Sequence, residues 1–182
     1  MCSIRTAESV CAGHPDKLAD QIADQILDDI LYDDKAARVA VEVMAAGRRI
    51  IVTGEITTNH RPRIRESVRT ALARAGYSPR GIRSYVWTRR QSSDINAGVT
   101  TSLEARGGDS SAFALQGAGD QGTVYGYATA ETPERLPLPL VLAHRICERL
   151  DTAQVEGTIC GIKSDGKAQV LSLIHISEPT RR

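Results

Sequence analysis

The chain has 182 residues, enough for one domain or two small ones, and its composition (41% hydrophobic, 25% charged) is ordinary for a globular protein. The formal net charge of +1 gives no global field that would draw nucleic acid or an anionic membrane, and an aromatic content of 4% argues against base-stacking platforms. No apolar run approaches membrane-spanning length. We therefore expect no nucleic-acid partner and no membrane partner.

The four cysteines, at positions 2, 11, 147 and 160, form no CxxC pair and no spacing typical of zinc ligands. No secretory apolar segment is evident in the sequence. This cysteine usage favours reduced thiols and a cytoplasmic protein.

The first predicted element is a helix that begins at Pro15. Proline suits the first helical position, and Asp16 in the first turn complements the helix dipole. The apolar residues recur at helical period, on one stripe formed by Leu18, Ile22, Ile26 and Ile30.

The mouth of this helix reads His14-Pro15-Asp16-Lys17, which places a neutral donor, an anion and a cation at one helix N-terminus. Such a terminus already binds anions through its N–H groups, and an aspartate there can hold Mg²⁺ with bound phosphates. The alternative is simple capping chemistry with a surface histidine.

Residues 38–57 predict a β-hairpin, because valines alternate with other residues at 39, 41 and 43 and a turn at Ala46-Gly47 precedes the return strand from Ile50 to Ile56. The register of this hairpin can bring Glu42 and Glu55 onto one face, where two carboxylates bind a cation or an ammonium group. The alternative is a solvent-facing edge without such a role.

A second helix is predicted over residues 61–75 and a short strand over 84–88, which together indicate an α+β layer of helices on a sheet. Residues 89–116 lack periodicity and predict a lid, a binding loop or disorder. A glycine turn at 117–122 and a strand at 123–131 follow.

The last elements predicted before residue 171 are a helix from Pro139 to Leu150 and a Ser164–Lys167 turn that precedes a strand. His144 and Cys147 lie one turn apart on that helix, and we interpret them as packing residues because no partner pair for a metal is visible. Taken alone, the Ser164–Lys167 segment indicates an ordinary turn with an exposed lysine.

The residues 171–182, "LSLIHISEPTRR", match the in-frame translation of a transposon-type sequencing adapter. We therefore expect an artefactual tail, excluded from reasoning about the fold, and a natural chain that continues beyond Val170. A genuine C-terminal tail is the alternative.

The His-Pro-Asp triplet first resembles that of a J-domain co-chaperone. Such a domain requires a basic helix before the triplet and an all-helical hairpin, and the elements predicted here do not match that arrangement. Taken together, the motifs instead resemble the S-adenosylmethionine synthetase (methionine adenosyltransferase) family. They occur in family order over nearly all of residues 5–170, with modest departures such as Cys11-Ala12 where many members have Ser-Glu. The matching segments are "ESVCAGHPDKLADQIADQILD", "ARVAVEV", "VTGEITT", "RRQSSDINAGV", "GAGDQGTVYGYATAET", "PLVLAHRI" and "SDGKAQV".

This resemblance implies a transferase that joins the sulfur of L-methionine to C5′ of ATP and hydrolyses the released triphosphate to phosphate and pyrophosphate. It implies Mg²⁺ and K⁺ as cofactors, with Asp16 on Mg²⁺ and Glu42 on K⁺. His14 would donate to the leaving oxygen, and Lys167 would be the second catalytic residue. The resemblance further implies ATP-binding residues His14, Asp165, Gly166 and Lys167, methionine-binding residues Glu55, Gln91 and Asp120, and a lid over residues 91–101.

The implied fold is built of two-layer α/β sandwich units of β-α-β-β-α-β type, with the chain truncated within the second unit. We expect an N-terminal domain over residues 1–100 and a flexible loop with a truncated central domain over 101–170. The family implies a homodimer or homotetramer with active sites shared between subunits. We expect the fragment to be inactive alone, and the alternative function is a non-catalytic truncated paralogue that binds and regulates a full-length synthetase.

Overall fold

The computed structural model describes residues 2–91, 102–111, 114–115 and 123–175. It is a mixed structure of helices and strands, which confirms the predicted α+β class. The elements in chain order are β1 (Cys2–Val10), α1 (Pro15–Asp33), β2 (Arg38–Ala46), β3 (Arg49–Thr57), α2 (Ile64–Arg74), β4 (Arg83–Arg89), α3 (Leu103–Arg106), α4 (Leu138–Glu156) and β5 (Lys167–His175).

The predicted hairpin is present, with one correction to its turn. Ala46 still pairs with Arg49, so the turn consists of Gly47 and Arg48 rather than of Ala46 and Gly47. Gly47 has a φ of 57°, a conformation that two-residue hairpin turns require and that glycine adopts without strain.

The predicted strand over residues 123–131 is wrong. Residues 123–129 form no regular structure, and Val124 and Tyr125 are almost fully exposed. The N–H of Thr129 donates instead to the carbonyl of Arg135, which turns the chain back on itself. An alternating sequence forms a strand only where a neighbouring strand takes its backbone hydrogen bonds.

The helix predicted over residues 139–150 runs further, to Glu156. It ends where Gly157 adopts a left-handed φ of 68° and donates its N–H to the Ala153 carbonyl. This is a common glycine stop, although the polar residues after Leu150 conceal the last helical turns from a reading of apolar period.

The chain divides into two compact units. Unit 1 contains residues 1–21, 71–80 and 126–182. In it β1 and β5 pair antiparallel from Cys2 opposite His175 to Val10 opposite Lys167, and α4 packs against both strands. Cys11, Cys147 and Ala168 are buried together in a small core, with Leu150 beside them.

Unit 2 contains residues 22–70 and 81–125. Its sheet has the order β2-β3-β4, with β2 antiparallel and β4 parallel to β3. One face of β3 is buried, and the helical residues in the same unit bury an apolar stripe, as expected for helices layered on a sheet. The buried residues are Ile50, Val52 and Ile56 on the strand and Ile22, Ile26, Ile30, Ile64 and Val68 on the helices.

The segment that resembles an adapter continues β5 from Leu171, which pairs with Thr6 of β1, as far as His175. Backbone pairing depends little on side-chain identity, and Leu171 and Leu173 are largely exposed. The origin of this segment therefore stays a prediction. Within the residues described, no helix has both the length and the apolarity that a membrane span requires.

Candidate functional site

The loop from Val10 to His14 connects β1 to α1 and lies against the turn that precedes β5. The Cys11 N–H donates to the Gly166 carbonyl at 2.8 Å, and the Gly13 N–H donates to the Ser164 carbonyl at 3.0 Å. Two motifs separated by about 150 residues in the sequence are thus joined by their backbones in unit 1.

Glycine is required at two points of this contact. A Cβ on Gly13 would lie 2.4 Å from the Cβ of Ser164 and 2.7 Å from its carbonyl group. A Cβ on Gly166 would lie 2.8 Å from Cys11 Sγ. Only a residue without a side chain allows the two segments to approach this closely.

Every backbone polar group between the Val10 carbonyl and the His14 carbonyl has a partner. Backbone groups supply some of them, since the His14 N–H donates to the Cys11 carbonyl at 3.0 Å and the Leu18 N–H to the His14 carbonyl at 2.8 Å. Four side chains supply the rest: Lys17 Nζ to the Val10 carbonyl (2.5 Å), the Asp151 carboxylate to the Ala12 N–H (3.1 and 3.2 Å), Gln21 Nε2 to the Ala12 carbonyl (2.8 Å) and Tyr77 Oη to the Gly13 carbonyl (2.6 Å). The loop is therefore held in one conformation along its whole length.

His14 caps α1 with its imidazole ring. The Asp16 N–H donates to His14 Nδ1 at 3.2 Å, so Nδ1 presents a lone pair. In the neutral ring one nitrogen accepts and the other donates, which assigns the proton to Nε2. The capping interpretation and the donor interpretation of His14 are thus compatible, because the cap itself leaves Nε2–H as the donor.

The other two residues of the helix mouth differ in environment. The Asp16 side chain is 93% exposed, as a carboxylate that must reach a ligand from solvent would be. Lys17 does not present its ammonium at the helix mouth, because Nζ is bonded to the Val10 carbonyl. Its role in the structure is to hold the end of β1.

Lys167 lies at the start of β5, where its ammonium forms an ion pair with Glu8 at 2.8 Å. Both side chains are about half exposed, so an anion can compete for the lysine. Asp165, two residues earlier, lies close enough to Tyr77 for its charge to add to the effect of burial, and both raise the pKa of the Tyr77 hydroxyl.

Cys11 belongs to this loop, and its thiol is buried. Burial, and then the charge of Asp151 and the neighbouring Cys147 thiol, raise the pKa of Cys11 from 9.0 to about 12. The thiol therefore stays protonated near neutral pH and is a poor nucleophile. Cys147 is also buried, as predicted for a packing residue, whereas His144 is exposed and bonds Ser9 Oγ through Nδ1 at 2.8 Å.

In unit 2 the sheet register places Glu42 and Glu55 on one face, as the hairpin predicts. Glu42 lies opposite Thr53 and Glu55 opposite Ala40, and directly opposed residues share a face. Glu42 is exposed on the edge strand, whereas the Glu55 side chain is only 17% exposed. Arg89, the β4 partner of Glu55, donates from Nε to Glu55 Oε1 at 3.0 Å.

The residue before Glu55 allows this strand to lie close to β2. Gly54 has a φ of 131°, and a Cβ there would lie 2.1 Å from the Ala40 carbonyl oxygen. Any other residue would push the two strands apart at the point where Glu55 emerges.

Gln91 lies just beyond β4 and accepts a hydrogen bond at Oε1 from Arg38 Nε at 3.0 Å. Its N–H reaches Thr57 Oγ1 at 3.4 Å, which anchors the chain at the point where the predicted lid begins. Asp120 and lid residues 92–101 lie outside the described residues.

Within the described parts of the chain, no group of three or more His, Cys, Asp or Glu side chains is arranged to hold a metal ion. The candidate ligands are single carboxylates, Asp16 in unit 1 and Glu42 in unit 2. Mg²⁺ binds proteins through one or two carboxylates and completes its shell with waters and substrate phosphates, so a lone exposed Asp16 fits that use.

Sequence reasoning missed the side chains that hold the loop from outside it. Tyr77 follows α2, and Asp151 lies on α4, 139 residues from the Ala12 that it binds. No local period or motif marks either residue. Only a pattern of paired substitutions between distant positions could have found them.

Two family models match the chain. The S-adenosylmethionine synthetase N-terminal domain matches residues 3–96, and the S-adenosylmethionine synthetase central domain matches residues 115–178.

Curated relatives agree with these matches. S-adenosylmethionine synthase of Kosmotoga olearia is 46% identical over 181 residues, covering 96% of this chain and 46% of the relative. The protein of the same name from Nocardia farcinica is 44% identical over 173 residues, covering 91% of this chain and 43% of the relative. The chain thus spans about half the length of these relatives. It belongs to the S-adenosylmethionine synthetase family.

Proposed function

We propose that a protein of the relatives' full length carrying this sequence forms S-adenosylmethionine from ATP and L-methionine, with release of phosphate and pyrophosphate. The observation that carries the proposal is the contact between the His14 loop and the Ser164–Lys167 turn in unit 1. It brings the loop that carries His14, at the N-terminus of α1, against the turn that carries Lys167. The relatives named S-adenosylmethionine synthase support the same reaction.

The reaction determines what this place must do. The thioether sulfur of methionine is neutral and attacks C5′ of ATP without the help of a base. The difficulty lies in the leaving triphosphate, whose negative charge must be met by donors and cations that are already in position. His14 Nε2–H would donate to the oxygen that leaves C5′, and Asp165, Gly166 and Lys167 would contact ATP.

The Glu8–Lys167 ion pair bears on how Lys167 would contact ATP. Because the pair is half exposed, a triphosphate oxygen can replace Glu8 as the partner of the ammonium. Until ATP binds, Glu8 keeps the lysine at the end of β1 beside the His14 loop.

The cation ligands follow from the available oxygens. Asp16 would hold Mg²⁺ together with the polyphosphate, and Glu42 would hold K⁺ near the sheet face. Bound at these positions, the two cations would supply positive charge that offsets the polyphosphate and orders the site.

Methionine would bind through Glu55, Gln91 and Asp120. The low exposure of Glu55 favours a charged partner, and a substrate ammonium is one such partner. Arg89 already bonds Oε1, so the ammonium would share this carboxylate through its other oxygen.

We further propose a cytoplasmic homodimer or homotetramer with shared sites. The unbridged thiols of Cys11, Cys147 and Cys160 support a reducing compartment. The sheet face that carries Glu42 also exposes Met44 (54%) and Trp87 (62%), which supports contact with a second copy.

The decisive experiment is His14→Ala in the full-length protein, assayed with Mg²⁺ and K⁺. We expect adenosyl transfer to fall about 100-fold or more, while hydrolysis of added tripolyphosphate changes far less, because the donor acts on the C5′ oxygen. Equal loss of both steps would contradict the role of His14. Absence of S-adenosylmethionine formation by the unmodified protein would remove the proposal altogether.

We also expect residues 1–182 alone to form no S-adenosylmethionine, since they correspond to about half of each relative. Turnover by the purified chain, free of host synthetase, would show that expectation to be wrong.

A further inference from the structure

The Asp151 carboxylate on α4 accepts the Ala12 N–H with both of its oxygens, at 3.2 and 3.1 Å. Ala12 lies two residues before His14, at the centre of the loop. The contact is partly buried, and it joins α4 to the mouth of α1 within unit 1.

We propose that Asp151 is a positioning residue, which fixes the Val10–His14 loop through Ala12 so that His14 keeps one tautomer with its proton on Nε2. The value of this tautomer for catalysis rests on the proposed function, but the positioning itself does not.

A carboxylate suits this position for a physical reason. The Ala12 N–H lies in a partly buried place, where an unpaired donor is costly, and a bond to an ionised acceptor is stronger than one to a neutral acceptor. The other partners of the loop bind on either side, with Gln21 on the Ala12 carbonyl and Ser164 on the Gly13 N–H. Loss of Asp151 would release the middle of the loop, and Gly13 would then allow the chain to rotate.

The connection to His14 is short. His14 Nδ1 accepts from Asp16 only while the backbone at Gly13 and His14 keeps its present direction. A rotated loop would break this bond, and both neutral tautomers would then be populated. Burial, and then the charge of Asp151, raise the pKa of the neighbouring Cys11 thiol.

The test uses ¹⁵N-histidine NMR of the 182-residue chain, in which three other histidines serve as references. We expect the unmodified chain and Asp151→Asn to show His14 as a single Nε2–H tautomer, since an amide oxygen can still accept the Ala12 N–H. Asp151→Ala should give a mixture of tautomers. The matched control is Thr152→Ala, the next residue on α4, whose hydroxyl donates to the Glu148 carbonyl and which should not alter His14.

A single unchanged tautomer in Asp151→Ala would overturn the proposal, as would a mixture in the unmodified chain. Should Asp151→Ala fail to fold, hydrogen exchange in the unmodified chain decides instead. The Ala12 amide should then be protected at least as well as the Gly13 amide, and rapid exchange at Ala12 alone would refute the anchor.

In the full-length enzyme we expect Asp151→Ala to lower the kcat of adenosyl transfer about tenfold, with the KM for methionine within twofold and with rescue by Asp151→Asn. A tautomer shift in an enzyme that forms no S-adenosylmethionine would leave the positioning role intact and remove the proposed function. Rescue of stability but not of kcat by the asparagine would count against positioning.

Discussion

The His14 loop of unit 1 and the Glu42–Glu55 face of unit 2 are constructed in opposite ways. In the loop, each backbone polar group from the Val10 carbonyl to the His14 carbonyl has a partner, and glycines allow neighbouring segments to touch. On the sheet face, the backbone is a regular ladder and the chemistry is carried by side chains that stand out from it. Substitutions in the loop should therefore act through shape, and those on the face through charge.

The largest effect is expected from Gly13→Ala, which tests the shape of the loop. The added Cβ would lie 2.4 Å from the Cβ of Ser164 and would force the two motifs apart. We expect the free energy of unfolding in urea to fall by about 1–3 kcal/mol or more.

Gly126→Ala is the matched control, because no described atom lies within 4 Å of a Cβ built there. Its free energy of unfolding should stay within about 0.5 kcal/mol of the unmodified chain. Equal effects of the two alanines would show that the close approach at Gly13 is not a constraint.

The second prediction concerns the buried Cys11 thiol of the loop. Its pKa in the folded chain, about 12, exceeds its ordinary value of 9.0 because of burial and the charge of Asp151. The folded state therefore holds the proton more tightly than the unfolded state, and the resulting stability is complete below pH 9 and lost as the pH rises toward 12.

Cys11→Ser removes this titration. We expect the unmodified chain to lose about 1–2 kcal/mol more than the variant between pH 9 and about pH 10.5, measured by urea unfolding. Cys160→Ser, at an exposed cysteine, is the control and should follow the unmodified chain. Parallel pH profiles for all three proteins would contradict the raised pKa.

These two predictions could not have been drawn from the sequence alone. Its periodicity revealed α1, the hairpin and α2, because a helix or hairpin is specified within about twenty neighbouring residues. It missed β1, where Glu8 interrupts the apolar alternation and the partner strand begins at Lys167, far along the chain. The strand predicted over residues 123–131 was wrong for the opposite reason. This segment has the alternating pattern of a strand, but it pairs with no neighbouring strand among the described residues.

The candidate site divides in the same way. Local motifs drew attention to His14 and Glu55, and the hairpin register correctly placed Glu42 and Glu55 on one face. The resemblance assigned His14 and Lys167 to the same ligand, but the contact between the Val10–His14 loop and the Ser164–Lys167 turn was not predicted, because spacing along a chain does not determine which loops meet. Asp151 was invisible for that reason, although it holds the centre of the loop.

The third prediction tests charge on the sheet face. Glu55→Gln keeps the size of the side chain and removes its charge, so the sheet should be preserved while the attraction for an ammonium group is lost. In the full-length protein we expect the KM for methionine to rise about tenfold, with the KM for ATP within twofold.

Glu66→Gln is the matched control, since Glu66 is an exposed residue on α2 that pairs with Arg63 on the surface. An unchanged methionine KM in Glu55→Gln would remove this residue from the proposed binding set. A parallel rise in both KM values would indicate a structural role instead.

The smallest effect on the isolated chain is expected at Trp87, and it shows what the open face requires. Trp87 is the only tryptophan, it is 62% exposed, and its ring stacks on Tyr85 with centroids 5.9 Å apart. Because the side chain is on the surface, Trp87→Gln should change the free energy of unfolding by no more than about 0.5 kcal/mol.

In a homo-oligomer that covers this face, however, the same substitution should shift the protein toward monomer in light scattering. The fluorescence of the unmodified protein should also move to the red on dilution, as Trp87 regains water. Dilution without a spectral shift, in a protein that does dissociate, would place the subunit contact elsewhere and leave the face of unit 2 open in the assembly as well.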